Sequence, residues 1–327
     1  MESWINQTMR ILALVPGGIG DQILFFPTLD SLKQAYPKAK LDVVVEPRAK
    51  AAYRVCPFVN EEIVFDFKGS NSLADWGNLL GVIRDREYDA VLSLGRSWAV
   101  GVLLWLTGVP TRVGYAGSAG AWCLTNPVPL KTEQYAASQY HDLLSGLGIS
   151  GPCPDPRISV PKRDIEWAEA EQKRLGIHES GYVLIHPGAS ALSRLKGIEK
   201  TYPAQSWKSI IRDFRQRQPG LPVVLVQGPE DREIVEAIAA DADVKIATPD
   251  DIGKLAALIA GANLMLCTDS GPMHLAVAVQ TYTIALFGPT DSTKLLPTSS
   301  KIIALQSTTN RVADITPDDV LKRVWGG

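Results

Sequence analysis

Residues 263–279 read NLMLCTDSGPMHLAVAV. The apolar run Leu264, Met265, Leu266 ends in a polar knot, Thr268-Asp269-Ser270-Gly271. A short apolar helical segment then begins at Pro272, with His274 in its first turn. A strand feeding a tight turn and a buried helix leaves free backbone N–H groups and partial positive charge at the helix start, which suits a diphosphate. Gly271 lets a ligand approach the backbone, and Pro272 fits a first helical position. The same residues also suit a plain helix cap, with Asp269 or Ser270 as the cap.

Three further segments carry candidate chemistry. In VPGGIGDQILFFPTL (15–29) a loop of Gly17, Gly18 and Gly20 admits a substrate close to the backbone, and Asp21 opens a helix. Asp21 suits either a base that takes a proton from an attacking hydroxyl or an N-cap. In HPGASALSRLKGIEKTYPAQSWKSI (186–210) a Gly/Ala/Ser turn leads into a basic stretch. There Ser190 with Arg194, Lys196 or Lys200 suits phosphate oxygens, or simply a solvated loop. In VQGPEDREIVEAI (226–238) Glu230 follows a strand and a Gly-Pro turn, a place for a ribose-binding carboxylate or a helix cap.

Other chemistries lack their residues. Read as a dinucleotide fingerprint, Gly18-x-Gly20-x-x-Ile23 has isoleucine in place of the third glycine. No GxSxG elbow and no GxxxxGK[ST] loop occurs, and the one DxD, Asp241-Ala242-Asp243, falls between a helix and a strand. Cys56, Cys123, Cys153 and Cys267 are scattered without a CxxC pair, which argues for a reducing compartment and against structural zinc. A net charge of -2 gives no basic field for nucleic acid. MESWINQTMR has no signal-peptide character, and no apolar stretch reaches the roughly 18 to 20 residues of a membrane span. The longest, residues 99–110, reads as a buried helix.

The elements that must position these residues alternate. Strands are expected at 11–15, 41–45, 90–94, 182–186, 222–226, 264–267 and 282–287, with helical segments between them. One such helix spans 22–36 on a stripe of Phe25, Leu29, Leu32 and Tyr36, with Pro27 expected to kink it. Continuous Val/Ile/Leu strands between helices indicate parallel sheets covered on both faces. Each half opens alike, ILALV before Pro16-Gly17-Gly18 and YVLIH before Pro187-Gly188-Ala189, a weak repeat at domain scale. A proline-rich linker, 151–164, separates them, and 327 residues with 46% hydrophobic and 21% charged content suit two soluble domains. The final ITPDDVLKRVWGG reads as a capped helix with Asp318 and Asp319 in its first turn, returning toward the N-terminal half.

Taken together, these segments resemble glycosyltransferase family 9, the ADP-heptose:lipopolysaccharide heptosyltransferases. The matches are GGIGD with Tyr36-Pro37 closing the helix, HPGAS with Lys200-x-Tyr202-Pro203 and Trp207, then GPE, TDSGPMHLA and FGPTD. Weaker ones are Arg112-Val113-Gly114-Tyr115, QYHDLLSGLGI and ITPDDVL. The resemblance implies an α/β GT-B fold, two Rossmann-like doubly wound domains facing a cleft. Residues 1–155 would bind the acceptor and 156–327 the sugar nucleotide. It implies inverting transfer without a metal or other cofactor, with heptose from ADP-heptose as the donor group. Position by position, Asp21 matches the general base, Ser190 and Lys200 the diphosphate contacts, and Glu230 the ribose carboxylate. Asp269, Ser270, Gly271 and His274 match the donor signature. Two departures stand out. The Ser190-to-Lys200 spacing is longer than the family's, which keeps Arg194 and Lys196 open as the phosphate cation, and Tyr202 stands where the family has tryptophan. The acceptor expected is a phosphorylated or lipid-linked glycan, met by Gly18, Gly20, Arg96 and Arg112. The chain is then expected in the cytoplasm, in peripheral contact with the inner face of the membrane. The same fold also serves sugar-nucleotide epimerases and non-catalytic binders, an alternative against which an intact Asp21 speaks.

Overall fold

The structure, a computed structural model, describes residues 8–190, 193 and 197–326. The chain divides into two compact units, Met1–Ile158 and Ser159–Gly327. The division falls within the proline-rich stretch, beyond residue 155 where the sequence placed it. There the Arg157 guanidinium ties the stretch to the buried Asp30 carboxylate.

In the first unit β1 (Arg10–Val15), β2 (Lys40–Val45), β3 (Glu61–Val64), β4 (Ala90–Ser93), β5 (Thr111–Tyr115) and β6 (Asn126–Val128) form one sheet in the order β3-β2-β1-β4-β5-β6. All its neighbours run parallel. Ile11 to Val15 are almost wholly buried, as expected of a central strand covered on both faces. After β1 comes α1 (Ile19–Ala35), which starts earlier than expected and continues through Pro27. Residues Gln22 to Asp30 are all buried, so no single apolar stripe orients this helix. Pro27 has no N–H to donate to the Ile23 carbonyl one turn earlier, and the helix nonetheless runs on to Ala35. Further along are α2 (Leu73–Asp85), α3 (Trp98–Thr107) and α4 (Ala136–His141). Helix α3 was expected to be buried throughout. Its Val100, Leu103 and Leu104 are, but Trp98, Trp105 and Leu106 are exposed.

The second unit repeats the plan. Its strands are β7 (Val183–His186), β8 (Val223–Val226), β9 (Lys245–Ala247), β10 (Leu264–Thr268), β11 (Thr283–Phe287) and β12 (Ile302–Gln306), in the order β12-β11-β10-β7-β8-β9. Counted from the start of each unit this is the same strand order, the doubly wound arrangement in which the sheet reverses beside its first strand. Helices α5 (Lys162–Leu175), α6 (Ala204–Arg217), α7 (Arg232–Ala239), α8 (Ile252–Gly261), α9 (Gly271–Ala278), α10 (Ser292–Leu295) and α11 (Pro317–Trp325) connect and cover it. Thr316 caps α11, with Asp318 and Asp319 in the first turn as expected. Helix α11 packs within its own unit. Val320 joins the core of the second sheet, and Trp325 packs on Phe214 of α6 and donates its indole N–H to Asp213. Among the described residues no helix is long and apolar enough to cross a membrane.

Candidate active site

Each sheet reverses direction between two adjacent parallel strands, β1/β4 in one unit and β7/β10 in the other, and the crevice beyond their carboxyl ends is where this architecture binds ligands. The sequence segments with candidate chemistry lie at these two places.

In the first unit Gly17 adopts φ +139°, a conformation that favours glycine. Its N–H donates to Glu46 Oε1 at 3.1 Å. Glu46 is buried, and Arg48 Nε at 2.8 Å and Lys68 Nζ at 3.6 Å balance its charge. The loop so fixed aims the Gly18 N–H at Asp21 Oδ2, 2.7 Å away, while Gly20 lies in the first turn of α1. The other oxygen, Oδ1, accepts the Tyr140 hydroxyl at 3.1 Å. Burial first, and then the negative charge of Asp21, hold the Tyr140 phenol well above its usual pKa, so it stays a donor. Asp21 is therefore a half-buried carboxylate held from two sides at the ligand edge. The N-cap the sequence also offered for Asp21 is instead Gly18; Asp21 is the third residue of the helix, and its carboxylate reaches back to the N-cap N–H. Next to it, Gln22 is braced by Val15 C=O and by the Tyr53 hydroxyl.

The two arginines separate. Arg96 is exposed just beyond β4, the neighbour of β1, and so reaches the same sheet edge as Asp21. Arg112 sits near the start of β5, at the far end of the sheet, with its guanidinium on the carbonyls of Cys123 (2.8 Å) and Val109 (2.6 Å). The structure does not bring it to Asp21.

In the second unit the end of β10 and the turn after β7 interlock, with Thr268 Oγ1 donating to Gly188 C=O at 3.0 Å. Asp269 is buried and accepts from Lys200 Nζ at 2.6 Å and Thr290 Oγ1 at 2.7 Å. Lys200, whose side chain is 15% exposed, is thus held at the start of α9. Ser270 is the N-cap residue of that helix without capping it by side chain; its Oγ lies 3.2 Å from Thr268 C=O and 3.4 Å from His186 Nδ1. The opposite nitrogen of His186 is 3.3 Å from Asp231 Oδ2, which also accepts the Gly228 N–H at 3.0 Å. Gly188 has no room for a side chain here, because a Cβ would fall 1.7 Å from Asp231 Oδ1. Gly271 opens α9, and His274 is buried at its fourth position. Glu230 is exposed, one residue before the buried Asp231. Ser190 is exposed and its Oγ accepts the Ser193 N–H at 3.2 Å. Arg194 and Lys196 lie outside the described residues.

The structure thus gathers Lys200, Asp269, Ser270, Gly271 and His274 around one helix start, with no group of three or more His, Cys, Asp or Glu placed to hold a metal among the described residues. Sequence reasoning did not assign Tyr140, Glu46, Thr290 or the His186–Asp231 pair. His186 closes β7 and Asp231 follows the turn after β8, so strand-end position was the signal available for those two.

Residues 76–324 match the model of glycosyltransferase family 9 (heptosyltransferase), a stretch that begins after Asp21. Lipopolysaccharide heptosyltransferase 3 of Escherichia coli is 28% identical over 305 residues, covering 87% of this chain and 85% of that one. The crystal structure of a family 9 glycosyl transferase from Veillonella parvula superposes with a TM-score of 0.84 at 22% identity, over 98% of this chain and 97% of the other. An E. coli heptosyltransferase solved with ADP-2-deoxy-2-fluoro heptose gives 0.76 at 20% identity, over 97% and 99%. With its two matching six-stranded parallel sheets, the chain has the GT-B fold and belongs to glycosyltransferase family 9, the heptosyltransferases.

Proposed function

We propose that this glycosyltransferase moves heptose from ADP-heptose to a phosphorylated or lipid-linked glycan of the lipopolysaccharide core, by inverting displacement without a metal ion. The observation that carries the reading is Asp21, a half-buried carboxylate at the ligand edge held by the Gly18 N–H and the Tyr140 hydroxyl. A base so fixed takes the proton of the acceptor hydroxyl as that oxygen attacks the anomeric carbon. The sugar–phosphate bond breaks in the same step, and the electron pair leaves on ADP. Lys200, the N–H groups that open α9 and the Ser270 hydroxyl are assigned to the developing negative charge of that diphosphate. His274 and Ser190 are assigned to phosphate oxygens, Glu230 to the ribose, Asp269 to holding Lys200, and Arg96 to an acceptor phosphate. The relative solved with a fluorinated ADP-heptose supports the choice of nucleotide. We place the reaction in the cytoplasm, beside the membrane that carries the acceptor.

The test is a thermal-shift series with ADP, UDP and GDP, followed by transfer assays with and without EDTA and assignment of the product anomer. ADP should stabilise the protein most, EDTA should leave the rate unchanged, and the anomeric configuration should invert. A UDP preference would overturn the ADP-heptose assignment, and retained configuration would remove the single displacement.

A further inference from the structure

The face of α3 that is not buried has a composition unlike the rest of the surface. Trp98 is 66% exposed, Trp105 56%, Leu106 45%, and Trp122, on the turn after β5, 72%. Trp98, Val102 and Trp105 are spaced to lie on one side of the helix, opposite the buried Val100, Leu103 and Leu104. Gly101 belongs to the tryptophan side. A Cβ there would lie 2.5 Å from Gly120 Cα, so the backbone of the Trp122 turn packs directly on that face. Large apolar side chains left exposed together in this way mark an interaction surface.

Charge selects the occupant. From Ala90 to Thr132 the chain has no aspartate or glutamate; its charged residues there are Arg96, Arg112 and Lys131. Arg96 is exposed beside Ser97, the cap of α3. Arg112 holds Val109 C=O beyond the other end of the helix and Cys123 C=O beside Trp122. Lys131 is paired with Asp142. The acidic groups of the neighbouring α2, Asp75 and Asp85, lie outside this segment. Tryptophan rings settle at the headgroup level of bilayers, and flanking arginines are drawn to anionic lipid. A self-contact about a twofold axis would instead bring these arginines toward their own copies.

We propose that the tryptophan face of α3 and the Trp122 turn form a docking surface for an anionic lipid bilayer. The face begins where β4 ends, at the sheet edge that carries Asp21. Docking there sets the base of this unit next to acceptors that are themselves embedded in lipid.

The experiment needs no acceptor or donor, so it stands or fails apart from the proposed reaction. The protein is co-sedimented with phosphatidylcholine vesicles, alone or mixed with phosphatidylglycerol, while tryptophan emission is followed. The variants are the triple W98Q/W105Q/W122Q, all at exposed positions, and R96Q. Circular dichroism and the melting temperature check that both are folded. The protein should pellet with anionic vesicles with a blue shift in emission. The triple variant should lose about tenfold or more in partitioning, and R96Q should weaken binding and its salt dependence. Absence of pelleting with either vesicle, or equal partitioning by the triple variant, overturns the proposal. So does a soluble dimer that the triple substitution dissociates.

Discussion

Substituting Asp21 two ways separates its two tasks. Asp21→Asn removes the basic carboxylate but keeps an oxygen for the Gly18 N–H and offers an amide donor to the Tyr140 oxygen. Asp21→Ala removes both partners as well. A positioned base contributes about 10² to 10⁴ in rate, about 3 to 5 kcal/mol, so both variants should lose turnover by that factor. Stability should differ between them. The lost helix-start bond costs about 1 kcal/mol and the abandoned tyrosine hydroxyl about 1 more, so alanine should lose about 2 kcal/mol and asparagine less than about 1. For a unit of this size that is about 4 to 8 °C in melting temperature for alanine. The assays are single-turnover transfer and thermal unfolding, each with ADP titrated in. Stabilisation by ADP should be the same in both variants, because the nucleotide is assigned to the second unit. Transfer by Asp21→Asn within about threefold of the unaltered enzyme would refute proton abstraction by Asp21 and leave it as a helix-start contact alone.

Further substitutions test the surroundings. Gly17→Ala combines φ +139° with a Cβ 2.3 Å from Asp21 Oδ2, a strain of about 1 to 3 kcal/mol, and should depress both stability and kcat. Gly18→Ala, whose Cβ meets Asp21 at 3.9 Å, should stay near unaltered activity; equal damage from both would deny that Gly17 sets the carboxylate. Lys200→Ala strips the cation from the buried Asp269 and should cost about 3 kcal/mol, with loss of ADP-induced stabilisation. Adding Asp269→Asn should restore stability but not ADP binding, and recovery of both would free Lys200 of its phosphate role. His141, against Ser31 at 2.9 Å, has its pKa lowered by burial more than the Asp142 charge raises it. The unfolded chain then binds the proton more tightly, so stability is full above the ordinary histidine pKa and declines as pH falls through it. Melting temperature should drop from pH 7.5 to 5 less in His141→Gln than in the unaltered protein.

Sequence pattern reached those inner strands that are continuous buried runs, as ILALV and YVLIH are. It missed β3, β5, β6, β9 and β12, where EEIV, TRVGY, NPV, KIA and IIALQ are short or partly exposed, so neither alternation nor a long apolar run marks them. In α1 burial on most sides erased the helical period, and the start had to come from the glycine loop. The candidate site was legible where chemistry sits next to a strand end, as for Asp21, Asp269 and Ser270. It was illegible where one partner comes from far along the chain. Tyr140 reaches Asp21 across 119 residues, and no local spacing announces that contact. The position of Lys200 shows the same limit. Lys200 is placed by Asp269, 69 residues away, and nothing in the loop's own sequence distinguishes it.

If Lys200 meets the diphosphate as proposed, its ion pair with Asp269 bears on how the enzyme lets go. Because the ammonium rests against a carboxylate before any nucleotide arrives, an incoming diphosphate does not meet a bare cation. It shares one already half neutralised, and Asp269 keeps its partner when ADP departs. On the proposed assignment this arrangement should moderate grip on the product in favour of repeated cycles, and a tighter hold on ADP after Asp269→Asn would come with slower release.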